Sequence, residues 1–538
     1  MCAHRLFRRL KSLVTFREQE SKQDNFGNHS QAHGISSNVT LINSDLPIEV
    51  EMRTLLLVPA CLIFGCIVQA QQPPTPTAQK WGVIPSEPES ATRAFPQQLR
   101  TELTTLRQAA MSDDYAYKQL EHLTDSIGPR PAGSPQADSA ANYVADELRK
   151  LGLEVRLEPV QVPHFLRGVD SAELVEYPGQ ADGAKQKIYV TALFGNSPTP
   201  ENGITADVVV VNNFDELKAL PREQVAGKIV VYNEVFDHQK ALAGQTGGAY
   251  GDAVKYRASG AKAASDMGAV GALVRSAGDG AYRLPHTGWS ADSPIPAGAV
   301  SAEDAGLIAR LAAQGRVRVH LTLTTRRGPD VTGYNVLADL KGSEHPEQVV
   351  IVSGHLDSWD LGTGAIDDGA GVVVAMETAE LVHRLNLHPR RTIRVIAWMN
   401  EEMGATGRDT YVKNQGAEVA NHIAAIESDL GAEHPLGFHA KISEAAQKQL
   451  TPVQNALAPI GANLLQLVPS SPETDIEPLA DKGVPALGIW QNGLAYFTYH
   501  HTPADTLDKV VPEELRENAA CMAVMGYALA NMAEPLQK

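Results

Sequence analysis

A chain of 538 residues with 43% hydrophobic and 20% charged content can bury a large core in more than one domain, which excludes the disordered and collagen-like classes. A formal net charge of −17 argues against a nucleic-acid partner, because phosphate binding needs a basic face. Most of that charge reads as solvated surface, and part of it suits a site where bound dications offset clustered carboxylates.

Residues 1–51 are polar and irregular and read as a leader foreign to the fold, with Met52 as the natural start. Residues 52–70 have the outline of a signal peptide: Arg53, an apolar stretch from Leu55 to Val68, and the small Ala70 at the cut. The stretch is shorter than the ~20 residues of a membrane-spanning helix, so no stable membrane insertion is expected after cleavage. A second reading takes Ile63-Phe64-Gly65-Cys66 as a lipoprotein site with an anchor on Cys66. Cys2, Cys61 and Cys66 all precede the mature chain, which leaves Cys521 alone in an apolar helix (513–532), without a disulfide partner. An exported protein, periplasmic or secreted, is the expectation.

A Pro/Thr/Gln-rich linker (71–94) leads into the first part of an α/β domain (95–162). There Ser134-Pro135 opens a helix that Gly152 stops, and a strand follows at 153–157. From 163 to 327 short β runs (208–211 and 228–232) alternate with glycine-rich turns, and one helix (256–267) leads into a further run at 270–274. This reads as a β-rich insertion, after which the larger domain resumes (328–538). Its runs at 349–352, 392–398 and 423–426 are short, β-branched and continuous, as strands buried on both faces are. With helices between them they predict an α/β fold: a mostly parallel, mixed sheet sandwiched by helices, with ligands at the carboxyl ends of strands.

Candidate ligands stand at those ends. His355 follows the first run, Glu401 and Glu402 the second, and Asp429 the third. In His355-Leu356-Asp357 the carboxylate of Asp357 is expected to accept the ring proton of His355 and fix its tautomer. Asp367, before the apolar stretch 372–385, can bridge two cations or cap that helix, with Asp368 taking the other part. Two adjacent acids after a buried strand repel each other unless something positive faces them. Their side chains diverge, so Glu402 can bind metal while Glu401 takes a proton from water. Asp429 also fits a turn before Gly431. In Tyr499-His500-His501-Thr502 either histidine can bind zinc, and local chemistry does not choose. The role of His286, to reach a substrate or to stabilise a turn, is open.

Ser353-Gly354-His355-Leu356-Asp357-Ser358-Trp359-Asp360, Ala365-Ile366-Asp367-Asp368-Gly369, Glu401-Glu402, Glu427-Ser428-Asp429 and His500-His501-Thr502 together resemble the co-catalytic zinc exopeptidases, and among them the plasma glutamate carboxypeptidase branch. The likeness extends from about Asp113, through Gly128-Pro129-Arg130 and Pro285-His286-Thr287-Gly288, to Thr474-Asp475-Ile476. It implies two zinc ions, one held by His355 and Asp429, the other by Glu402 and His501, with Asp367 bridging. It further implies Glu401 as general base, Asp357 as the partner of His355, and a protease-associated domain in the insertion. Unblocked dipeptides or short peptides are the implied substrates, and a homodimer is compatible with it. Two departures, Met403 for Gln in Glu-Glu-Gln-Gly and Glu473 for Gly in Gly-Thr-Asp, fall near the substrate region. A non-catalytic receptor on the same scaffold and a zinc acyltransferase cyclising amino-terminal glutamine are the competing readings.

Overall fold

The computed structural model describes residues 87–280 and 282–537. The leader, the signal segment, its cysteines and most of the linker lie outside them. The end of the expected linker is helical: Glu89–Ala94 buries Ala91 and Ala94. No helix among the described residues is long and apolar enough to cross a membrane.

The main sheet contains β1 (Glu154–Val162), β2 (Val331–Leu340), β3 (His345–His355), β4 (Arg391–Trp398), β5 (His422–Glu427), β6 (Pro435–Lys441), β7 (Leu464–Leu467) and β8 (Ala486–Gln491). Their order is β1-β2-β4-β3-β5-β8-β6-β7. The four central strands, β4, β3, β5 and β8, are parallel; β2 pairs antiparallel with β4, and β6 with β8. Side chains alternate between faces along a strand, and here both faces are dry. Val350 and Val352 join one apolar cluster with the helix Pro512–Asn531, while Val349 and Ile351 join another with Tyr411 and Leu479. This two-sided burial is why the central runs read as unbroken apolar stretches. Cys521 is buried in that helix among small residues.

Ser134 caps the helix Pro135–Lys150, accepting from Ala137 N, and Gly152 beyond its end has φ +79. The strand that follows runs on to Val162, past the expected end at 157, because its whole length pairs with β2. β1 and β2 are antiparallel neighbours, so the chain leaves and re-enters the main sheet at one place. A short ladder, Phe165–Leu166 with Arg326–Arg327, closes the exit. Between them lies a second eight-stranded sheet. Its middle is parallel: Ile204–Val211, Ile229–Tyr232, Gly271–Arg275 and Ala297–Val300.

The insertion is richer in helix than its sequence suggests, with five helices among the described residues. The expected helix at 256–267 spans Thr246–Asp266. Gly247, Gly248 and Gly251 argue against its first turns, but Ala249 is buried against the main core and Tyr250 stacks on Phe497 at 4.5 Å. Tertiary packing overrides propensity there.

Close backbone approaches set the height of the helix Ala370–Arg384 above the strand ends. A Cβ on Gly371 would lie 2.0 Å from the carbonyl oxygen of Ser428, and one on Gly354 of β3 would lie 2.5 Å from the carbonyl carbon of Gly371. Backbone cannot yield as a side-chain tip can. Gly371→Ala is expected to destabilise the protein by about 1–3 kcal/mol through overpacking, measured as a lowered denaturant midpoint. An unchanged midpoint would show that the helix can lift without cost.

Candidate metal centre

Parallel pairing brings the chemistry together. His355 at the end of β3 lies in register with Trp398 at the end of β4, and Ser353 with Glu427 at the end of β5. The segments leaving these strands therefore open on one edge. His355 Nε2 stands 3.1 Å from both Asp367 Oδ1 and Asp429 Oδ1. His501 Nε2 stands 3.2 Å from Asp367 Oδ2 and 3.0 Å from Glu402 Oε2. Asp367 thus turns one oxygen towards each group, and both triads could hold a metal ion. Donors about 2.0–2.1 Å from a tetrahedral zinc are separated by about 3.3 Å, so the observed spacing and the N/O donor set suit that ion.

Ring tautomers agree with that use. His355 Nδ1 lies 2.9 Å from the main-chain oxygen of Asp357, and His501 Nδ1 lies 3.2 Å from that of Thr287. A carbonyl only accepts, so each Nδ1 carries a proton and each Nε2 is the nitrogen turned to the carboxylates, the one a metal ion would take. Arg257 Nη1 also lies 3.0 Å from His501 Nδ1, but its two hydrogens have acceptors in the Tyr250 hydroxyl at 2.9 Å and the Thr287 carbonyl at 3.4 Å, so Nδ1 can donate to Thr287.

The expected pairing of the Asp357 carboxylate with His355 is corrected here. Asp357 Oδ1 is 3.9 Å from the ring nitrogen. It instead accepts from Asn400 N at 2.6 Å and Glu401 N at 3.1 Å. The side chain pins the turn that presents the two glutamates, while its own carbonyl orients the imidazole. Asp368 takes the capping part: Oδ1 accepts from Gly371 N and Oδ2 from His355 N, both at 2.9 Å.

Glu401 lines a cavity of about 790 Å³ beside Asp367, Glu402, Asp429 and His501. Its carboxyl is raised above the ordinary range, first by burial and then by Asp429 and Asp367, with the His355 charge opposing. Burial lowers His355, yet Asp429 and Asp367 hold it well above the usual imidazole range. His501 is likewise pushed up to about 9 against its burial by Glu402 and Asp367. The imidazoles attract positive charge because buried carboxylates crowd them, the same field that draws in a dication. Glu402 Oε1, buried without a hydrogen-bond partner, adds to that demand.

His500 and His501 are distinguished by geometry. His500 stacks on His501 at 3.7 Å and, among the described residues, pairs with one carboxylate, Asp367 Oδ2 at 3.3 Å, while its Nδ1 is buried without a partner. His286 lies edge-on to both, with ring centroids 5.1 and 5.0 Å away. His501 itself adopts φ +59, a costly region for a residue with Cβ. Thr287 N donates to its carbonyl at 2.9 Å and helps to hold it there.

Several supports escaped the sequence reading. Trp359 Nε1 donates to Glu402 Oε2 at 2.6 Å. Asp505 Oδ1 accepts from Ala365 N and Ile366 N, each at 2.8 Å, and so holds the strand-to-helix loop that carries Asp367. Arg130, fully buried, donates to the carbonyls of Leu356, Thr363 and Gly364 at 2.8, 2.7 and 2.8 Å. From the insertion, Arg167 grips Asp360, beside Trp359, through bonds of 2.5 and 2.7 Å. A guanidinium isolated between Pro129 and Pro131, and an acid in Thr502-Pro503-Ala504-Asp505, were the available signals, but neither shows its partner locally.

Residues 335–525 match Peptidase family M28. The chain is 36% identical to carboxypeptidase Q of Xenopus laevis, over 82% of this chain and 93% of that protein. It is equally 36% identical to carboxypeptidase Q of Homo sapiens, over 79% and 87%. The crystal structure of a peptidase M28 precursor from Shewanella amazonensis SB2B superposes with a TM-score of 0.76 at 36% identity, covering 82% of this chain and 98% of that one. A zinc aminopeptidase from Bacillus subtilis shares the fold, with a TM-score of 0.57 at 20% identity, over 79% of this chain and 98% of its own. With its mixed sheet, its layered helices and this extent of identity, the chain belongs to peptidase family M28.

Proposed function

We propose that this M28 peptidase is a two-zinc exopeptidase of unblocked dipeptides and short peptides, with His355 and Asp429 on one ion, Glu402 and His501 on the other, and Asp367 shared. The observation that carries it is Asp367, whose two oxygens stand 3.1 and 3.2 Å from the facing imidazoles of two separate triads. Bound zinc supplies a water that loses its proton near neutrality and a positive charge for the scissile carbonyl oxygen.

The protein's own groups do the rest. Glu401, on the cavity wall and free of the two triads, accepts the water proton on its carboxylate and passes it to the departing amine nitrogen as the C–N bond breaks. Asp357 holds the Asn400-Glu401 turn, so Glu401 and Glu402 point to different tasks. Trp359 orients Glu402, and the carbonyls of Asp357 and Thr287 keep the imidazoles in the metal-binding tautomer. Gly247, Tyr250, Arg257 and Trp289 of the insertion form one wall of the cavity, which favours short substrates. The insertion, residues 163–327, is read on this basis as a protease-associated domain that narrows access. The names of the relatives favour peptide hydrolysis over a receptor or a glutamine-cyclising acyltransferase.

We also read the protein as exported: the basic start, apolar centre and small cut residue of 52–70 support removal of a signal peptide, with periplasm or secretion as the destination.

A dipeptide panel assayed with and without chelator tests the reaction, with hydrolysis expected only in the metal-loaded protein. Glu401→Gln is expected to retain both zinc ions while turnover falls by about 10²–10⁴-fold. Retained turnover in that variant removes Glu401 from the mechanism. For the ligands, His501→Ala is expected to lose one zinc equivalent by atomic absorption, while His500→Ala keeps both. The reverse result reassigns the second ion to His500.

A further inference from the structure

The cavity beside the metal centre contains a buried carboxylate that peptide hydrolysis leaves unused. Glu473 is 8% exposed and lines the cavity near Glu401, Asp429 and Thr474. It is pressed against bare backbone: a Cβ on Gly488 of β8 would stand 2.3 Å from Glu473 Oε1. Among the described residues its only hydrogen bond is accepted by its main-chain oxygen, from Ser471 Oγ at 2.9 Å. Arg408, a guanidinium on the same cavity, is engaged elsewhere, donating to the Thr474 carbonyl and, at 3.0 Å, to Glu477 Oε2. Asp429, Asp368 and Glu401 surround Glu473 with further negative charge.

A buried carboxylate costs several kcal/mol unless donors or a cation meet it. Neighbouring acids meet that rule in part: Asp475, which does not line the cavity, has both side-chain oxygens buried without a partner. Glu427 Oε2 accepts from Asp475 N and Ile476 N at 3.0 and 3.2 Å, and Asp505 takes two loop amides. Glu473 has neither, and it lines the volume a substrate would fill.

We propose that Glu473 determines specificity by receiving a cationic group of the substrate, an ammonium or guanidinium. This rests on the peptidase reading above. The cation has two sources, the free amino terminus of the peptide or a lysine or arginine side chain beside the scissile bond.

The full chain, Glu473→Gln and Glu473→Gly are to be compared on a neutral unblocked dipeptide and on its counterparts with lysine in the first or second position. Glu473→Gln is expected to lower kcat/KM by roughly tenfold or more, mainly through KM, at unchanged zinc content. A loss equal on all peptides assigns the α-ammonium, and a loss confined to lysine-bearing peptides assigns the side chain. If kcat/KM of both variants stays within about twofold of wild type on every peptide, the proposal fails. Calorimetric binding of leucine amide and lysine amide to the zinc-loaded proteins separates this from the peptidase reading. Weaker binding of either amide by Glu473→Gln supports the subsite even if no peptide is cleaved, whereas equal affinity for both overturns it.

Discussion

Negative charge is crowded at the carboxyl ends of the central strands, and the loops, helix starts and insertion contacts around it answer to that crowding. Asp367, Glu402 and Asp429 converge on two imidazoles, with Glu401 on the adjoining cavity wall and Asp357 and Asp368 directly behind. No burial of apolar surface offsets that repulsion locally. Positive charge does, and the proposed ions supply it in the place where the donors already face inward. Both histidines are drawn towards protonation for the same reason.

The scaffold makes the crowding tolerable by bringing the acids in on separate loops and pinning those loops from behind. Asp368 joins the amide of His355 to that of Gly371, so the end of β3 and the start of the next helix are held by one carboxylate. Asp505 restrains the loop before Asp367, and Arg130 gathers three carbonyls from the same loops. Gly371 and Gly354 allow backbone to approach where a methyl group would not fit. Rigidity here is distributed over donors, carbonyls and close contacts, with the dry sheet beneath.

The insertion takes part in the centre as well as bordering the cavity. Thr287 is bonded to His501 in both directions, through its amide and its carbonyl. Arg167 reaches Asp360, next to the tryptophan that orients Glu402. The second sheet is therefore coupled to the Glu402 and His501 side of the cluster and leaves the His355 and Asp429 side to the main sheet.

Much of this was legible in the residues. Continuous β-branched runs at 349–352, 392–398 and 423–426 announced strands buried on both faces, and the acids and histidine after them fall on one edge, because parallel strands end together. The Ser134 cap and the Gly152 stop were likewise readable, being local backbone chemistry. Local sequence could not foresee the first turns of the helix Thr246–Asp266, whose glycines are held by packing against Phe497 and the main core. Nor could it decide between the carboxylate and the carbonyl of Asp357, or between His500 and His501 as the ring facing both Asp367 and Glu402. Those choices turn on angles of a few bonds set by partners more than forty residues away, Asn400 and Glu401 in one case and Thr287 in the other. Residue types and their order determined the chemistry available to this chain; only the tertiary structure decided which atom of each residue faces which, since hydrogen-bond direction is a property of folded neighbours.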